Sequence, residues 1–260
     1  MSEGFADLGN GRLWYERAGE GFPVVFVHPG LMDARVWEPQ FEEFAEQHEV
    51  VRYDRRGFGR SDPPTGPFSD LDDLRALLDE LQIARCALVG CAEGSRLCFD
   101  LALAAPEAIE AVVASSPRVS GYPWRDPGAE VLAEQVARSV AAGDPQGAIE
   151  LQLAVWAPVT SAADPGVRTV ALENAAAQAI DPSWRSEPPA SVDRLDELRA
   201  AALLIVGEED IGEVGEIADL VAERVPGASK RVVAETDQLV NVGKSERFNR
   251  LALDFLAFAG

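Results

Sequence analysis

Cys86-Ala87-Leu88-Val89-Gly90-Cys91-Ala92-Glu93-Gly94-Ser95 passes from a short apolar run, through two glycines four residues apart, into a stretch with helical periodicity. The run from Cys86 to Gly90 predicts a strand buried on both faces. Gly94 to Ala105 predicts a helix, stopped by Pro106. A strand that reverses into a helix this abruptly leaves little room beside the turn, so small residues are needed at its edges. The residue at its centre is Ala92.

Outward from this turn the same units recur. Val24 to Val27, ending at His28-Pro29-Gly30, predicts a buried parallel strand, and a helix is expected from Ala34 to Gln47. Glu49 to Asp54 predicts the next strand, Arg56 to Ser61 a Gly-rich loop, and Ser69 caps a helix to Leu81. Ile109 to Ala114, Ala201 to Val206 and Arg231 to Ala234 predict later strands, with helices near Val214 to Arg224 and Ser245 to Phe258. Two short segments around Gly9-Asn10-Gly11 read as an N-terminal hairpin. Alternating strands and helices at this spacing imply an α/β fold with a mostly parallel sheet flanked by helices. Between Arg118 and Ala190 the alternation breaks. That stretch is rich in proline, holds three of the five tryptophans and contains only helical segments. The expected organisation is therefore a core of 1–117 and 191–260 with an inserted helical cap, or lid, at 118–190.

The chain resembles the α/β-hydrolase superfamily. The likeness rests on the turn around Ala92, on His28-Pro29-Gly30, on Asp54-Arg55-Arg56-Gly57-Phe58-Gly59-Arg60-Ser61, on Gly207-Glu208-Glu209-Asp210, and on Gln238-Leu239-Val240-Asn241 followed by Phe248-Asn249. It is similar in particular to the capped branch of small-ester, epoxide and carbon–carbon bond hydrolases. The resemblance implies a nucleophile elbow centred on residue 92, an acid at Asp210 and a histidine at 238. It also implies an oxyanion hole built from the backbone amides of Glu93 and of Gly30 or Leu31.

This chain departs from that pattern at two of three positions, which marks the triad as degenerate. Ala92 has no atom that can attack a carbonyl, and the amide of Gln238 has no basicity to act as general base. The two histidines, His28 and His48, are not placed as a triad base. Loss at two positions argues for natural loss over a single trapping substitution. Cys91 stands one position early and is expected to point away from the cleft. Glu93 and Asp210 remain as acid or base candidates. In an apolar cleft Glu93 would have a raised pKa; its alternative is an ion pair with Arg96, one helical turn on. Asp210 is otherwise a remnant that hydrogen-bonds to its turn. His28, Asp33 and Arg35 are candidate polar groups of the cleft, with helix capping the alternative for Asp33. Trp37, Tyr122, Trp124, Trp156 and Trp184 are candidate aromatic walls, Trp124 and Trp156 foremost.

The composition narrows the partners. With 23 basic and 44 acidic residues the net charge is −21, which repels phosphate backbones and anionic lipid; neither nucleic acid nor membrane is expected. Three cysteines lack both disulfide and zinc spacing, no phosphate or dinucleotide fingerprint is present, and no metal or cofactor is expected. A cytoplasmic protein, monomeric or homodimeric, is the expectation. Three functions fit: a non-hydrolytic enzyme acting on an apolar or aromatic small molecule by cyclisation, dehydration or isomerisation, a pseudo-hydrolase that only binds its ligand as receptor or carrier, or a disabled ester or epoxide hydrolase.

Overall fold

The structure is a computed structural model that describes residues 1–259, with side chains to Ala257. An eight-stranded sheet has the spatial order β1 (Ser2–Asp7), β2 (Arg12–Ala18), β4 (Glu49–Tyr53), β3 (Pro23–Val27), β5 (Cys86–Cys91), β6 (Ile109–Ser115), β7 (Ala201–Gly207) and β8 (Ser229–Val233). β1 and β2 are antiparallel and the remaining six strands run parallel.

Parallel strands need crossovers, and helices supply them: α1 (Glu38–Ala45), α2 (Asp70–Glu80), α3 (Glu93–Ala104), then, all between β6 and β7, α4 (Pro127–Ala141), α5 (Pro145–Trp156), α6 (Pro158–Ala163) and α7 (Pro165–Glu173). After β7 come α8 (Gly212–Arg224), α9 (Val240–Gly243) and α10 (Ser245–Ala259). The single helix expected from Ala34 is in fact a 3-10 turn, Ala34–Trp37, followed by α1. Pro39 is the reason, since it has no N–H to continue the ladder and is accommodated only in a first helical turn.

Residues alternate across the sheet, as strand geometry requires. Val25, Val27, Leu88, Val112 and Leu204 face one apolar core with α2, α3 and α8, while Val24, Phe26, Val89, Val113 and Ile205 face the other with α1 and α10. Among the described residues no helix is long and apolar enough to cross a membrane, and no cluster of His, Cys, Asp or Glu could hold a metal ion.

Candidate functional site

The parallel strands end on one edge of the sheet, where open α/β sheets bind ligands. Ala92, between β5 and α3, has φ 49° and ψ −111°, a conformation that costs an L-residue energy and persists only when its surroundings enforce it. The enforcement is steric. A Cβ on Gly90 would lie 2.6 Å from Gly94 and Ser95 backbone atoms, and one on Gly94 would lie 2.1 Å from the Val27 carbonyl. The Ala92 amide donates to Ser115 O (2.9 Å), and the Ala92 carbonyl accepts from Ser95 Oγ (2.7 Å) and Arg96 N (3.1 Å).

Ala92 opens into a cleft of about 340 Å³. Gly30, Leu31, Glu93 and Gln238 line it together with Ala92. As the first residue of α3, Glu93 has no intrahelical acceptor for its amide. Among the described residues neither that amide nor the Leu31 amide finds another partner. The fold therefore brings together Gly30, Leu31, Ala92, Glu93, Trp156 and Gln238.

Of the two readings open for Glu93, the structure has the ion pair with Arg96 and not the raised pKa. Its carboxylate meets Arg96 Nη2 at 2.5 Å and Nε at 2.7 Å. Burial alone would raise its pKa, but Arg96, then Arg55 and Arg118, outweigh that and hold it at about 2. Arg96 is fixed in turn by Asp100 and Glu187, each at 3.3 Å. Asp210 behaves oppositely, since burial pushes its carboxyl up to about 6. It stands in the turn after β7 and does not line the cleft; Oδ1 accepts from the Ile211 amide (3.2 Å) and Oδ2 is buried without a partner. That turn packs on the Gln238 loop so closely that a Cβ on Gly207 would lie 2.4 Å from the Thr236 and Asp237 carbonyls. Gln238 Oε1 is buried without a partner. Cys91 is fully buried, its thiol donating to Gln238 O at 3.5 Å, and burial raises its pKa far above the thiolate range.

Other candidates lie elsewhere. His28 is fully buried; Nδ1–H donates to Pro29 O (2.8 Å) and Nε2 accepts from the Arg55 amide (2.9 Å), so the ring is a neutral strut, its pKa lowered to about 3 by burial and then by Arg55. Asp33 caps its 3-10 turn and, with Arg35, grips the segment after β6: Asp33 accepts from Asn174 Nδ2 at 2.8 Å, and Arg35 pairs with Glu173 at 2.6 Å. Trp37 sits in the core 5.1 Å from Phe26. Tyr122 packs against Trp124, which meets Trp156 edge-on at 5.9 Å and borders a neighbouring depression instead of the cleft itself. Trp184 pairs through its backbone with Phe68 at 2.7 Å.

Two groups of residues went unread in the sequence. Arg55, Arg118 and Arg185 line the cleft, and each of the first two follows the end of a parallel strand, the position that was the available signal. Asp237 accepts from Val159 N (2.7 Å), Thr160 N (2.8 Å) and Thr160 Oγ1 (2.6 Å), tying the Gln238 loop to α6.

The sheet order, the strained turn and the cleft at its apex define the α/β-hydrolase fold. The family described as the alpha/beta hydrolase fold matches residues 23–148. Over nearly the whole chain the protein is similar to RutD of Azorhizobium caulinodans, provisionally named a carbamate hydrolase, at 28% identity covering 96% of this chain and 97% of that one. Among solved structures it is similar to Est816, described as an N-acyl homoserine lactone degrading enzyme (26% identity, TM-score 0.76, 97% and 100% coverage). It also shares its fold with the enol-lactonase of Burkholderia xenovorans (22% identity, TM-score 0.79, 98% and 100% coverage).

Proposed function

We propose that this protein binds a small molecule in the cleft over Ala92 without forming a covalent acyl-enzyme, its helical segment 118–190 serving as the cap. The observation that carries the reading is the methyl group at the centre of a turn still held in its strained conformation, with an amide, Gln238, lining the same cleft. Neither group can attack a carbonyl or take a proton. The names of the relatives point to carbonyl compounds as the shape of ligand, which two unbonded amides at the cleft floor would suit. Glu93, committed to Arg96, is no proton donor near neutrality, and this moves the weight from catalysis to binding.

A non-hydrolytic enzyme is the second reading, favoured by the carboxyl of Asp210 at about 6. The amides of Leu31 and Glu93 would stabilise an enolate-like anion while Asp210 exchanged a proton. Because Asp210 does not line the cleft, that exchange needs a relay, and the reading ranks second.

The test is incubation of the full chain with a small-molecule extract in ¹⁸O-labelled water, with free and protein-bound fractions read by mass spectrometry. One compound retained intact is the expected result. An isomer or water-loss product selects the second reading. A product that has gained labelled water overturns both.

A further inference from the structure

The arginines of this chain divide into two groups. Those that are buried away from the cleft floor are paired: Arg56 with Asp73 at 2.7 Å, Arg52 with Glu16 at 2.6 Å, Arg96 with Glu93. Arg55 and Arg118 are the exceptions. Arg55 is 1% exposed, and Nε, Nη1 and Nη2 all lack a partner. Arg118 is half-buried, with only its Nε both buried and unpartnered, and makes no ion pair among the described residues; its guanidinium lies over the rings of Trp156 (4.3 Å) and Trp124 (5.2 Å). Both side chains line the cleft that holds Ala92.

A shortage of acid does not explain this, because the chain has 44 acidic residues against 23 basic ones. The acids that line the same cleft are Glu93, Glu187 and Asp181. Glu93 and Glu187 are engaged by Arg96, and the third cleft arginine, Arg185, is paired with Asp70 at 3.0 Å. Asp70 and Glu93 act on Arg55, and Glu93 and Asp210 on Arg118, through space without a contact, and a guanidinium taken out of water with no hydrogen-bonded partner destabilises the fold. Its five N–H donors, in a planar fork, match the paired oxygens of a carboxylate or phosphate. Apolar and aromatic groups stand beside both arginines in the cleft: the Phe58 ring lies 5.1 Å from the Arg55 guanidinium, Trp156 lies against Arg118, and Leu31 and Ile180 share the lining.

We infer that the cleft selects an anionic ligand, an aromatic or apolar body carrying a carboxylate or phosphate oxyanion, whose head group is received by Arg55 and Arg118. The inference rests on the reading of this cleft as a ligand site. It adds the chemical class of the ligand and assigns two arginines, which are not among the triad positions, as the residues that decide it. It also makes the strongly acidic surface a source of discrimination, since an anion gains only where those two guanidinium groups outweigh the overall field.

The test uses the full chain, with benzoate, phenyl phosphate and neutral benzamide as probes, at constant ionic strength, by calorimetry and thermal melting. Benzoate or phenyl phosphate is expected to bind one per chain, with benzamide at least about tenfold weaker. Whichever anion binds tighter names the head group. Arg55→Met is expected to melt above the parent in buffer and to bind the anion at least about tenfold more weakly, whereas Arg75→Met, on the exposed face of α2, changes neither property. Arg118→Met gives the same readout should Arg55→Met fail to fold. Equal binding of benzamide and benzoate, parental anion affinity in both arginine variants, or no binding of any probe would overturn the inference. Incorporation of labelled water into a product would overturn the non-covalent reading and leave the anion site standing.

Discussion

Arg96 Nη2 and Glu93 Oε1 stand 2.5 Å apart across the first turn of α3, directly beside the residue at the apex of the strand–helix turn. The carboxylate that sequence spacing offers as an acid or base of the cleft is thereby committed to a structural ion pair. Breaking such a pair leaves the partner charge enclosed, and that is the larger cost.

Glu93→Gln is accordingly expected to lower stability by about 1–3 kcal/mol, less than for a fully enclosed pair because Arg96 keeps Asp100 and Glu187. The sign with pH follows from the depressed carboxyl. Its contribution is complete above the ordinary value of 4.5 and is lost as pH falls toward about 2. Urea midpoints between pH 6 and pH 2.5 should fall more steeply for the parent than for the variant, the two curves converging at the acid end. Parallel curves would show that the pair contributes nothing.

Ala92→Gly should raise stability by about 1 kcal/mol, because glycine adopts φ 49° without the Cβ clash while giving up some of that gain to chain entropy. Chemical denaturation checks it. A loss of stability would mean that the turn is unstrained.

Ala92→Ser combined with Gln238→His is expected to acquire labelling by a fluorophosphonate, a reagent that the parent chain does not react with. The experiment reads whether the turn, the cleft and the Asp210 carboxyl still have the geometry of a nucleophile, base and acid. Labelling of the parent would expose a nucleophile other than residue 92.

His28 should remain neutral across pH 5–8, with the proton on Nδ1, in a nitrogen-resolved NMR titration; its pKa of about 3 lies well below the ordinary value of 6.5. The stability it confers is present above 6.5 and is lost as pH falls through that window toward 3. Titration near 6.5 would remove the ring from its strut between Pro29 and Arg55.

Asp237→Asn leaves the Val159 and Thr160 amides with a weaker acceptor. Faster amide exchange in α6 is expected, with the sheet core unchanged. Unchanged exchange in α6 would place its anchor elsewhere, Asp33 with Asn174 being the alternative grip.

The parallel sheet, the turn at Ala92 and the N-terminal hairpin were legible in the sequence because each follows from local chemistry: β-branched runs that must be covered on both faces, and glycines where a Cβ would strike backbone. Capping by Ser69 and termination by Pro106 are of the same kind. Which polar groups meet was not legible, because charge pairing depends on distances between strand ends that are far apart along the chain. Glu93 with Arg96 was one of two open readings, since helical spacing allows an ion pair without requiring it. Arg55 and Arg118 gave no signal as a pair. They stand 63 residues apart in the chain, and only the common edge of the sheet brings them to one cleft. The chain's own residues thus determined that neither position 92 nor position 238 holds a serine, cysteine or histidine. Tertiary structure alone decided that the enclosed Arg55 guanidinium and the half-buried Arg118 guanidinium meet at one cleft with neither in an ion pair, because burial and pairing are properties of the packed surfaces and not of either residue's neighbours along the chain.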